Sequence, residues 1–155
     1  SMYAESVDLL NPYVNRFKIR EFDGRLLLEN KTSQLIDRVF ETGKKVIISS
    51  AKSPKSSAFY NKSEISWLSC VPKYPCQFSD LDFTDINEFD GFSNHCPHFM
   101  APLTAAVLGA EIIEVHITSN KQNNFIDNNV SFDYKEFEEL VDLIRIADSI
   151  KKSTS

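Results

Sequence analysis

Gly91-Phe92-Ser93-Asn94-His95, then an alanine-rich stretch over 99–108, then Gly109-Ala110-Glu111-Ile112-Ile113-Glu114-Val115-His116-Ile117-Thr118: this run decides how the chain folds. A short apolar segment, a helix-forming segment, a glycine and a second apolar segment follow one another. A glycine just past a helix takes the left-handed conformation that closes it. A short β-rich apolar run after it is what a buried parallel strand looks like. The same order recurs upstream, where Gly43 separates the helical stretch 33–42 from Val46-Ile47-Ile48.

Working outward, the pattern predicts five strands, over 14–20, 45–50, 65–70, 91–95 and 110–118. Helical or loop segments separate them, and the polar connection 53–63 reads as irregular. A last amphipathic helix is predicted over 134–150, with Phe137, Leu140, Val141, Ile144 and Ala147 on one face. Asp133 stands at its N-cap, with Glu136 as capping-box partner. Strand and helix in alternation mean βα units and a parallel sheet. Two architectures satisfy that reading. One is an open five-stranded parallel sheet; the other is part of a (β/α)8 TIM barrel, which needs on the order of 250 residues when complete.

The 155 residues suit one domain, expected over 3–152, with Ser1-Met2 as a tag remnant and 153–155 as a tail. Seventeen basic against twenty-two acidic side chains give a net charge of −5, which argues against nucleic acid or an anionic membrane as partner. No apolar stretch reaches the roughly 18 residues of a membrane span, and no signal peptide is visible. Three cysteines, an odd number, read as reduced thiols in a cytoplasmic protein.

In either architecture the loops at the carboxyl ends of the strands build the site. His95 and His116 close adjacent strands, and two imidazoles converging there would hold a divalent metal. The alternative is that His116 is a packed strand residue and His95 a loop donor. Lys18 lies inside an apolar strand, where an ammonium needs an anionic partner. That partner is either Glu114 or the phosphate or carboxylate of a ligand. Cys70, Cys76, Cys96 and His98 match no paired zinc spacing and read as small buried hydrophobes. No glycine-rich phosphate loop is present, which weighs against nucleotide folds and against the open sheet.

These residues resemble the sialic acid synthases, (β/α)8-barrel enzymes whose corresponding text reads G-[FYL]-S-D-H-T, A-V-A-L-G-A and I-E-[KR]-H-F-T. Here the matching residues are Gly91 to His95, Ala105-Ala106-Val107-Leu108-Gly109-Ala110 and Ile113 to Thr118. Upstream, Phe17-Lys18-Ile19 resembles the family's Y-K-I strand, and Thr42 to Ser49 resembles T-G-K-P-V-I-L-S. Cys70 through Tyr74-Pro75 resembles H-C-x-x-x-Y-P, and Asp127 falls on the family's G-P-D.

The resemblance implies about strands four to eight of the barrel, belonging to an enzyme that condenses phosphoenolpyruvate with N-acetylmannosamine or a related amino sugar. A divalent metal, Mn in this family, orients the sugar aldehyde. By position, His95 and His116 would be metal ligands; Lys18, Ser49 and Ser93 would hold phosphoenolpyruvate; Tyr74 and Asp127 would face the sugar. The family's general base falls in the first three strands, so this chain is expected to be inactive alone. It is further expected to pair with an N-terminal half-barrel or with itself, because a half-barrel leaves open edges. Glu21 replaces a serine that contacts phosphoenolpyruvate, and Asn94 replaces the aspartate beside the metal histidine. Those two changes define the alternative, a non-catalytic binding or assembly module on a degenerate scaffold.

Overall fold

The computed structural model describes residues 3–153, which divide into two compact units at Ser69/Cys70. The tag remnant expected at 1–2 and the last two residues of the expected tail lie outside the described residues. In the first unit, helix α1 (Ala4–Leu10) precedes β1 (Arg16–Ile19), α2 (Glu21–Leu28), α3 (Gln34–Glu41), β2 (Lys45–Ser50) and β3 (Ile65–Cys70). Strands β1, β2 and β3 are parallel neighbours, as the βα reading predicts.

The register explains which side chains matter. Phe17 and Ile19 of β1 are buried, as are Val46 and Ile48 of β2 and Trp67 of β3, and these form the layer under the helices. Helix α3 buries Leu35, Ile36 and Val39, and the Ser33 hydroxyl caps it by accepting from the Ile36 N–H. Lys18 pairs with Ile47, so Lys18 and Ser49 project from the opposite face. The connection 53–63 is irregular, as predicted, and is pinned where the Ser57 hydroxyl donates to the Leu27 carbonyl at 2.6 Å.

The second unit holds β4 (Gly91–Ser93), α4 (Met100–Val107), β5 (Ile112–Glu114), β6 (His116–Ile117), β7 (Ser131–Phe132) and α5 (Tyr134–Ser153). β4 pairs with β5 and β6 with β7, both in parallel. Its core is Cys76, Ile86, Phe92 and Cys96 with the small side chains Ala101, Ala105 and Ala110. Those alanines let α4 lie close to β4. Gly43 and Gly109 have φ of 67° and 116°, the positive values expected for glycines that end α3 and α4.

The predicted strand 110–118 is two strands. Glu114 ends the pairing with β4, and His116 turns to a new partner, β7, which the sequence reading did not include. The Thr118 N–H continues that pairing by donating to the Phe132 carbonyl at 2.9 Å. The first strand is also shorter than predicted, so Glu21 opens α2 and is not a strand-end residue. Helix α5 starts on the predicted capping box: the Glu136 N–H donates to Asp133 Oδ1 and the Asp133 N–H to Glu136 Oε2, each at 2.9 Å. It runs through Ser153, into the segment expected to be tail. Among the described residues no helix is long and apolar enough to cross a membrane.

Candidate functional site

The second unit holds five of the seven predicted site residues and brings four of them, His95, His116, Tyr74 and Asp127, together. His95 follows β4 directly and is 6% exposed. Its Nδ1 lies 2.6 Å from the Val71 carbonyl oxygen. A carbonyl only accepts, so Nδ1 carries the proton and Nε2 presents a lone pair. The Tyr74 hydroxyl, 2.6 Å from Nε2, donates to it. The two rings are stacked with centroids 4.0 Å apart.

His116, at the start of β6, completes the group. Its ring centroid is 5.7 Å from that of His95 and 5.9 Å from that of Tyr74, which meets it edge-on. Its Nε2 is 4.0 Å from Asp127 Oδ2, while its Nδ1 is buried without a hydrogen-bond partner. His116 and Asp127 also line a cleft of about 500 Å³ with Thr118, Phe125, Ile126 and Ser131. Phe125 and Ile126 stand where the synthase text has Gly-Pro, and the Ile126 side chain is 98% exposed.

Ser93 is buried, and its hydroxyl donates to Glu114 Oε1 at 2.5 Å. Glu114, which the sequence offers as one possible partner for Lys18, accepts this bond from Ser93. Asn94 is fully buried and shapes the loop: its Nδ2 donates to the Cys96 carbonyl at 2.8 Å and its Oδ1 accepts the Cys96 N–H. An aspartate could not make the first of these bonds, since a carboxylate has no N–H.

In the first unit, Lys18 Nζ donates to the Ser49 hydroxyl at 2.8 Å. Ser49 is 3% exposed, and having accepted from Lys18 it keeps its own O–H to donate. Glu21 is held bidentately by Arg25, with both bonds at 2.7 Å. Its charge is thereby paired one helical turn away.

The three cysteines are free and buried. Burial, reinforced by neighbouring Cys96, pushes the Cys76 thiol up to about 11, which keeps it protonated and a poor metal ligand. His98 is apart from them in character, an exposed ring packed against Phe78 at 5.5 Å. The three cysteines are buried small side chains, as the sequence suggested, and His98 is not.

A family model described as the NeuB family matches residues 1–155. The chain belongs to the NeuB family. It is 29% identical to an uncharacterized protein of Methanocaldococcus jannaschii, over 93% of this chain and 46% of that protein. It is 33% identical to the pseudaminic acid synthase of Campylobacter jejuni, over 56% of this chain and 27% of that enzyme. Among solved structures it resembles an N-acetylneuraminic acid (sialic acid) synthetase of Leptospira borgpetersenii in complex with citrate. That match has a TM-score of 0.79 and 28% identity, and it covers 96% of this chain and 55% of the other. The chain thus spans about half the length of the relatives it matches end to end. Its parallel βα repeats are part of a (β/α)8 barrel, and the open-sheet alternative is set aside.

The NeuB resemblance implies a divalent metal, and the imidazole pair fits one in part. Two imidazoles bound to one ion, with metal–nitrogen distances of about 2.1 Å, place their ring centroids about 5 Å apart. The observed 5.7 Å is close to that. The His95 tautomer leaves a lone pair on Nε2, and His116 has a buried nitrogen in need of a partner. Among the described residues no cluster of three or more His, Cys, Asp or Glu side chains is arranged to hold an ion. The remaining ligands would come from water or substrate.

What the sequence missed is the Val71 carbonyl that sets the His95 tautomer, because a backbone acceptor leaves no mark in residue type. The clasp of Glu21 by Arg25 was readable, since the two stand at i, i+4.

Proposed function

We propose that this chain forms the ligand-holding part of a NeuB-type synthase that condenses phosphoenolpyruvate with N-acetylmannosamine or a related amino sugar. The observation that carries this reading is the grouping of His95, His116, Tyr74 and Asp127, with the His95 Nε2 lone pair directed by Val71. His95 and His116 would hold a divalent cation, Mn in this reading, whose contribution when bound is to polarise the sugar's aldehyde oxygen. Lys18 and Ser49 supply an ammonium and a hydroxyl side by side, the donors a phosphate or carboxylate requires. In the second unit, the Ser93 hydroxyl is a further donor once it exchanges Glu114 for a ligand. Tyr74 and Asp127 offer donor and acceptor to sugar hydroxyls on either side of His116.

Glu21 does not oppose an anion at Lys18 as an unpaired carboxylate would, because Arg25 neutralises it. In this reading the chain alone carries no condensing activity and binds through self-association or a complementary half-barrel. The second reading, a non-catalytic module, is favoured by one observation: Ser93 is occupied by Glu114 and Asn94 by the Cys96 backbone.

Calorimetric titration with phosphoenolpyruvate separates them. The synthase reading expects saturable binding that weakens at least tenfold in Lys18→Met, the loss of a charge-assisted hydrogen bond. An absence of binding by the unaltered chain would leave the non-catalytic module.

A further inference from the structure

We propose that Tyr74 couples cation binding to sugar recognition, by capping His95 Nε2 while no cation is bound and passing its hydroxyl to the sugar once a cation takes that nitrogen. The inference rests on the reading of His95 as a cation ligand and adds a role for the phenol that contacts it.

Three observations carry it. First, a neutral imidazole has one in-plane lone pair, here on Nε2, and the Tyr74 O–H occupies it at 2.6 Å. A hydroxyl proton and a metal ion cannot share that lone pair, so the two compete. Second, the parts differ in freedom. His95 is buried and anchored at its other nitrogen by Val71, whereas Tyr74 is 55% exposed. When the contact breaks, Tyr74 is the side chain that moves. Third, the phenol and the Asp127 carboxylate both border His116, at 5.9 Å between ring centroids and 4.0 Å to Nε2 respectively. Tyr74 and Asp127 thus both border one imidazole, His116, and offer a donor and an acceptor to a sugar bound there.

The coupling is reciprocal. Cation binding frees the hydroxyl for the sugar, and the sugar, by engaging the hydroxyl, removes the competitor of the cation. Tyr74→Phe keeps the stacked ring and deletes only the competing O–H. It should bind the cation about three- to tenfold more tightly, the factor one net hydrogen bond represents. It should also lose the mutual enhancement.

The test is titration with Co²⁺, followed by its visible absorption, with and without N-acetylmannosamine, on the unaltered chain, Tyr74→Phe and His95→Ala. The expected result is Co²⁺ binding that the sugar tightens in the unaltered chain, tighter and sugar-independent binding in Tyr74→Phe, and none in His95→Ala. A tyrosine ultraviolet difference signal on adding Co²⁺, lost in Tyr74→Phe, reports the displacement separately from affinity. Equal or weaker Co²⁺ binding by Tyr74→Phe would overturn the Tyr74 role while leaving the cation reading intact. No Co²⁺ binding by the unaltered chain would overturn the cation reading and this inference with it.

Discussion

His95 shows how little of a site's working state is written in residue type alone. Its ring is held by a backbone carbonyl at one nitrogen and a phenol at the other. In the sequence it is one of two histidines at strand ends, which spacing alone reads more readily as a loop donor than as a ligand. The position was legible because strand ends are where βα folds expose polar groups; the tautomer was not, because it depends on where Val71 points its carbonyl. Lys18 illustrates the same limit. The sequence asks for a polar partner to an ammonium in an apolar strand, and one that the structure gives it is the Ser49 hydroxyl, whose position depends on strand register. Cys76 gives a prediction at this scale. Its thiol is raised to about 11 from an ordinary 9.0, chiefly by burial. The unfolded chain therefore loses this proton at lower pH than the folded chain, and stability falls as pH climbs from about 9 toward 11. Alkylation with iodoacetamide at pH 8 should leave Cys76 unmodified in the native protein and label it in urea. Rapid native labelling would contradict the burial that raises it.

Among the elements, α5 was read almost to the residue, and the strand 110–118 was not. The helix carries its start signal locally, in the Asp133–Glu136 box, so sequence suffices. Asp133→Ala should cost about 1 kcal/mol, seen as a lower urea midpoint with an unchanged slope. Glu136→Gln, which can still accept the Asp133 N–H, should cost less. The break between β5 and β6 has no local signal, since Ile113-Glu114-Val115-His116 alternates without interruption. Its cause is the distant β7, which draws His116 and Ile117 into a separate pairing. That switch is what brings His116 toward Asp127. Gly91 makes a further element-level prediction. A Cβ there would run into the Ile112 carbonyl of the paired strand β5. Gly91→Ala should therefore destabilise by about 3 kcal/mol or more, since backbone cannot yield as a side chain can. A variant with wild-type denaturation would show that β4 and β5 are not paired in this register.

At the scale of the molecule, family membership and the βα order were both legible, because motifs in sequence order with parallel-strand spacing survive divergence at individual positions. Length did not separate an open five-stranded sheet from part of a barrel; the resemblance did, because its motifs match about half of a longer synthase. How the chain meets its surroundings is where expectation leads. Ile146 and Ile150 of α5 and Val107 and Leu108 at the end of α4 are exposed apolar side chains. Light scattering should give a mass that is a multiple of 17.7 kDa at micromolar concentration; a strict monomer would contradict self-pairing. The central claim, that His95 and His116 serve one cation, has a more direct measurement. The chain has three histidines, and His98, an exposed ring packed against Phe78, serves as an internal control. Proton NMR during addition of the diamagnetic ion Zn²⁺ should shift the ring signals of His95 and His116 together while those of His98 move little. Equal shifts of all three, or none, would contradict a shared site.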